Sequence, residues 1–270
     1  MKKSLSLALF VLLSSQANAH DRWILPSHFN VSSDKGSVWV TSDTSASNQV
    51  FEYDKPFSAD AVIIQTPNGK TDKPASIYKG KRKSVFDYQL TDDGTYKFEY
   101  PVKAGSFTRY KVKGEEGVKR KRADKASTKA DAPAGAYDFY TKQFVSRVET
   151  YVTLNSATRE ALAPSGQYLE LTPITHPADI VQNEQAVLKF TYDGQPVENL
   201  EVEIVADGTM YRNQPNKVSL KSDAQGMVHF TPAEAGRYLL HAEHSIKFTD
   251  NKDVDELGSS IFLTFAVGLE

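Results

Sequence analysis

Six histidines, His20, His28, His176, His229, His241 and His244, carry most of the chemical potential of this 270-residue chain, which has no cysteine and only three methionines. Without thiolate and with little thioether, a bound metal would be held by imidazole, carboxylate and amine. That donor set suits nickel, cobalt, zinc or Cu(II) rather than Cu(I). His20 stands out by its position. Residues 1–19 have a basic start at Lys2 and Lys3, an apolar stretch from Leu5 to Leu13, and small residues at Ala17 and Ala19. This is the layout of a cleaved signal peptide, and the stretch is too short to cross a bilayer. Cleavage after Ala19 makes His20 the first residue of the exported chain. Its α-amine and ring Nδ1 can then chelate one ion together, with Asp21 as a carboxylate partner for a histidine.

His241 and His244 lie in His241-Ala242-Glu243-His244, within a predicted strand. Side chains alternate along a strand, so a spacing of three sends the two rings to opposite faces. Tyr238, Leu240 and Ala242 share a face with His244; Leu239 and Glu243 share one with His241. His244, nearer the strand's end, is the first choice as a ligand, and His241 with Glu243 competes. His28, eight residues after His20, can fold back toward the chain end, and His176 sits in a loop at the entrance to the second half. His229 alternates with Val228 and Phe230 and reads as solvent-facing. The expected metal ligands are therefore His20, His244, His241, His28 and His176; the ordinary alternative for each is a packed or surface residue. Trp23 reads as a packing anchor for the terminus.

These residues need a scaffold, and its pattern is β throughout. Short alternating runs at 37–41, 61–65, 95–100 and 108–112 are separated by turn residues such as Asp92-Asp93-Gly94, which suggests a sandwich. From 167 the pattern returns in runs at 168–173, 186–192, 200–205, 227–230, 237–244 and 260–267. The turns Asp193-Gly194-Gln195-Pro196 and Ser222-Asp223-Ala224-Gln225-Gly226 are those of an immunoglobulin-like or transthyretin-like module. The expected organisation is a signal peptide (1–19), an N-terminal β-sandwich (20–113), a charged linker or loop (114–136), a connecting segment (137–166) and a C-terminal immunoglobulin-like β-sandwich (167–270). Within the connecting segment, Phe139, Tyr140, Phe144, Val148, Tyr151 and Val152 can line a strand or a short helix. Polar, charged composition makes 114–136 read as solvated; its Lys119–Arg122 cluster could meet a polyanion. No internal repeat stands out.

Three stretches carry a family resemblance: His20-Asp-Arg-Trp-Ile-Leu-Pro, Tyr168-Leu-Glu-Leu-Thr-Pro leading to the Asp193 turn, and Gly236-Arg-Tyr-Leu-Leu-His-Ala-Glu-His. Together they resemble the DUF4198 family, exported proteins related to the periplasmic component of cobalt and nickel uptake systems. The resemblance spans the mature chain and implies a periplasmic role beside a membrane metal transporter or a TonB-dependent receptor.

Composition narrows the remaining choices. The chain has 32 Lys+Arg and 34 Asp+Glu, and loss of Lys2 and Lys3 leaves 30 against 34. Such weak acidity gives no general reason to expect nucleic acid or anionic lipid as a partner. No second apolar stretch reaches spanning length, so no membrane span is expected in the mature chain. The absence of G-x-S-x-G and H-E-x-x-H removes two hydrolase signatures. The sequence reading is thus a non-enzymatic, periplasmic transition-metal-binding accessory protein. The rivals are a structural or interaction module of the envelope and a histidine-brace copper oxidase, which needs His20 and a second histidine on one ion.

Overall fold

The structure, a computed structural model, describes residues 20–101 and 104–270; the expected signal peptide lies outside the described residues. The fold is all-β. The strands that build the site are, in chain order, β1 (Asp21–Pro26), β2 (Val38–Ser47), β3 (Ser84–Leu90), β4 (Gly94–Tyr100), β5 (Gly105–Val112) and β6 (Lys119–Lys121). After a short helix α1 (Lys125–Asp131) come β7 (Ala136–Leu154), β8 (Leu169–Pro173), β9 (Ala186–Tyr192), β10 (Glu201–Ala206), β11 (Met227–Phe230), β12 (Gly236–Lys247) and β13 (Glu256–Val267).

One large sheet runs through both halves of the chain in the order β10-β12-β13-β7-β4, with β5 and β6 added alongside β7. β7 pairs with β13 in parallel over 142–150 and with β4 antiparallel over 151–154. A second sheet contains β1, β2 and β3; a third contains β8, β9 and β11. Strand alternation makes the large sheet a shared middle layer. On β12, Leu240 and Ala242 enter a core with Leu188, Phe190 and Phe265, whereas Leu239 enters a core with Trp23, Phe86 and Phe98. On β13, Ile261 and Leu263 face the first core and Phe262 the second. The two sandwiches expected from the sequence therefore exist as two cores on one continuous sheet.

Each core contains the same local device. Tyr96 donates its hydroxyl to the Asp92 carbonyl at 2.9 Å, and Tyr238 donates to the Glu234 carbonyl at 2.7 Å. Both tyrosines follow a glycine by two residues, and both glycines need positive φ, +136° at Gly94 and +145° at Gly236. These are tyrosine corners of the immunoglobulin-like type, and they constitute a structural repeat that overall similarity hides.

Two expectations require correction. Residues 114–136 are not a bare linker: they form β6 and α1, with Lys125 and Thr128 buried. Asp124 caps α1 by accepting from the Ser127 amide at 2.7 Å. Residues 137–166 do not merely connect, because most of that stretch is β7, the strand that joins the halves. Its odd-numbered face buries Arg147 and Glu149, which form an ionic network with Lys97, Glu99 and Glu170. Those charges obscure the apolar pattern that a central strand normally shows.

Candidate functional site

Antiparallel pairing with β2 holds β1 across the second sheet, and buried Trp23 anchors it edge-on against Phe51. Asp21 thereby reaches β12, where its Oδ1 lies 3.9 Å from His241 Nδ1. That distance is too long for a hydrogen bond, yet one ion about 2.0–2.2 Å from each atom would touch both. Glu203 on β10 stands directly opposite His241 in the strand register. These three side chains line a pocket of about 240 Å³ together with Lys217, Arg212 and Gln49.

Burial sets the electrostatics of this pocket. It pushes the Asp21 carboxyl up to about 6, with the Glu203 carboxylate adding to the rise and Lys217 opposing it. Burial also lowers the His241 pKa, against the pull of Glu203 and Glu243, so the ring is neutral near pH 7. The imidazole lies flat on Phe262, centroids 4.3 Å apart and planes 4° from parallel. Its Nε2 is buried without a hydrogen-bond partner, an exception among buried polar atoms. Glu203 is held by Lys217, Nζ to Oε1 at 2.7 Å. A neutral, oriented imidazole beside two carboxylates is a nitrogen–oxygen donor set of the kind that takes borderline divalent metals.

His20 points elsewhere. Its Nε2 accepts from Lys55 Nζ at 2.9 Å, and Asp54 Oδ2 lies 4.0 Å away. An ammonium only donates, so this contact requires Nε2 to be unprotonated. Chelation through Nδ1 would move the ring proton to Nε2, which would have to leave Lys55. Asp54 is the nearby carboxylate able to receive it, as in carboxylate–histidine–metal arrangements.

The remaining histidines do not gather here. His244 faces the opposite side of β12, with its ring centroid 5.1 Å from that of Tyr192 and its pKa lowered by burial. His241 and His244 thus occupy opposite faces, as the spacing of three requires. His176 is buried and spends both ring nitrogens internally: Nδ1 accepts from the Ala178 amide at 3.0 Å, while Nε2 lies 2.9 Å from the Thr158 carbonyl and 3.0 Å from Thr95 Oγ1. His28 is exposed beside Ser27, and His229 is exposed beside Gln185. Among the described residues, no three His, Cys, Asp or Glu side chains surround one centre. The five expected ligands are therefore not brought together. Sequence reasoning passed over Glu203, whose signal was its place in an alternating strand beside the one bearing His241.

A family model described as "Domain of unknown function (DUF4198)" matches residues 17–246. No curated protein matches. Solved structures similar to this chain include the D0-D1 domain of Intimin, 11% identical over 90% of this chain and 96% of that one, with a TM-score of 0.21. A DUF4785 family protein of Legionella pneumophila is 9% identical over 80% of this chain and 50% of that one, TM-score 0.23. The chicken CNTN1 FN1-FN3 domains are 8% identical over 86% and 95%, TM-score 0.24.

Proposed function

We propose that this chain, which belongs to the DUF4198 family, is an exported, non-enzymatic protein that binds a divalent transition metal and passes it on. The observation that carries the reading is the pairing of Asp21 with a neutral, ring-stacked His241 across 3.9 Å at a small pocket, one residue from His20. Asp21 and His241 would hold the ion, and Glu203 would join once released from Lys217. His20 would add its amine and Nδ1 as a chelate at the processed terminus. A site with few protein ligands exchanges its ion readily, which suits delivery to a membrane metal transporter or a TonB-dependent receptor of the cell envelope. The donor set suits nickel, cobalt, zinc or copper as cargo. The histidine-brace reading finds no support in the placement of the rings, since His20 turns to Lys55 and His241 to Asp21.

Titration calorimetry with nickel, cobalt, zinc and copper on protein whose terminus is His20 tests this. His241→Ala, His20→Ala, and one extra residue ahead of His20 should each weaken binding at least about tenfold, the loss usual for a disturbed ligand or its support. Unchanged affinity in His241→Ala would remove the pocket from the account; unchanged affinity in both His20 variants would remove the terminus.

A further inference from the structure

We propose that the face of the sheet formed by β5, β6 and the start of β7 docks the protein onto an anionic membrane surface. Residues 105–142 carry ten lysines and arginines against five carboxylates, in a chain whose formal net charge is −2. Lysines take three of the arm's five acids: Lys111 pairs with Asp138 at 2.8 Å, Lys119 with Glu115 at 2.7 Å, and Lys121 with Asp131; Asp124 caps α1. Lys125 and Lys142 take acids from the loop before β13, from β13 and from β12: Lys125 pairs with Asp255, Lys142 with Glu243 and Glu256. Arg109, Arg120 and Arg122 receive no carboxylate among the described residues, and all three are exposed.

Register places these arginines together. Arg109 stands directly opposite Arg120 in the β5–β6 pairing. Arg122, in the bend just after β6, lies over the ring of Phe107, which shares a face of β5 with Arg109 two residues on. Directly opposed like charges destabilise a sheet. Charged residues on an edge strand such as β6 often serve only to block aggregation, but Arg109 lies on β5, between β6 and β7. Aromatic rings share the face. Phe107, 47% exposed, stacks on Phe144 at 5.7 Å with Arg122 over it, and Arg109 lies 4.4 Å from the Tyr140 ring centroid. Gly105 makes the stack possible, since a Cβ there would meet the Phe144 ring at 2.4 Å. Guanidinium groups suit phosphate oxygens, and exposed aromatics beside cations suit a lipid headgroup layer. Arg109, Arg120, Arg122 and Phe107 are all exposed, which matches a surface better than an enclosed small ligand. Charge complementarity with phosphate headgroups therefore names the partner as an anionic lipid bilayer.

The test is co-sedimentation of the protein recovered from its own cell with phosphatidylcholine vesicles, with and without phosphatidylglycerol. Each cation near such a surface contributes enough that R109Q/R120Q/R122Q should reduce partitioning about a hundredfold. Binding should need phosphatidylglycerol and vanish near 1 M salt, where screening shortens to about 3 Å. Phe107→Ser should weaken binding severalfold with the charges intact, a loss that a purely ionic contact would not show. Equal partitioning of wild type and triple variant would overturn the proposal. Retention on heparin or duplex DNA without vesicle binding would overturn it as well, leaving a soluble polyanion as the partner.

Discussion

Lys97→Met should unbalance the buried ionic network in a way that pH can report. Lys97 is 5% exposed, and its Nζ lies 3.0 Å from Glu149 Oε2 and 3.1 Å from Glu99 Oε2. Without it, Glu99 keeps Arg147 at 2.6 Å, but Glu149, 1% exposed, keeps only the Tyr151 hydroxyl at 3.3 Å. Breaking a buried pair on one side costs about 3–5 kcal/mol. Glu149 can limit that cost by protonating, because burial already pushes its pKa above the ordinary 4.5. Holding it neutral at pH 7 costs about 1.36 kcal/mol for each unit above 4.5, or roughly 3.4 kcal/mol. At pH 5 the same choice costs only about 0.7 kcal/mol. The sign follows from proton counting: the folded variant binds a proton that the unfolded chain releases above 4.5, so its stability falls as pH rises. Thermal unfolding at pH 7 should show a Tm lower than wild type by about 7–14 °C, from roughly 2–4 °C per kcal/mol at this chain length. At pH 5 most of that deficit should disappear. Replacing Glu149 with leucine in the same variant should recover most of the loss at pH 7. A pH 7 deficit below about 1 kcal/mol, or one that does not shrink by pH 5, would refute the reasoning about Glu149.

Two further variants separate structure from function. His176→Ala deletes a buried ring whose nitrogens serve Ala178, Thr158 and Thr95; denaturant unfolding should show a loss of about 2–3 kcal/mol, with metal affinity by calorimetry unchanged. Arg120→Gln relieves the repulsion opposite Arg109 and should raise stability by about 0.2–1 kcal/mol in the same unfolding assay, while weakening vesicle binding.

Much of the fold was legible because its strands obey a period of two. The runs at 186–192, 200–205 and 227–230 lie within or beside the observed strands, and the opposite-face placement of His241 and His244 needed only alternation. Trp23 is the packing anchor that its position suggested. β7 was legible only as an ordered run, strand or short helix, for a physical reason: Arg147 and Glu149 interrupt its apolar face, and their partners Lys97, Glu99 and Glu170 are remote in sequence. The tyrosine corners were present as Gly94-Thr95-Tyr96 and Gly236-Arg237-Tyr238, a spacing too short to register as a repeat. The basic arm was half legible: the Lys119–Arg122 cluster stood out in the sequence, but Arg109, eleven positions before Arg120, joins it only through the β5–β6 register.

The shared middle sheet limits what any site on it can be. A residue of β12 serves one core or the other according to parity, so His241 can meet only groups carried on the side of β1, β2 and β3. β1 delivers Asp21 there, to join Glu203 of β10, and β1 begins one residue after His20. A site containing His241 is thereby coupled to how β1 is anchored on the second sheet. His244, on the other parity, packs near Tyr192 of β9 and belongs to a different environment. Shifting β12 by one residue would exchange the two rings, but it would also turn Leu240 and Ala242 out of their core. The hydrophobic register that stabilises the sandwich therefore decides which histidine faces β1.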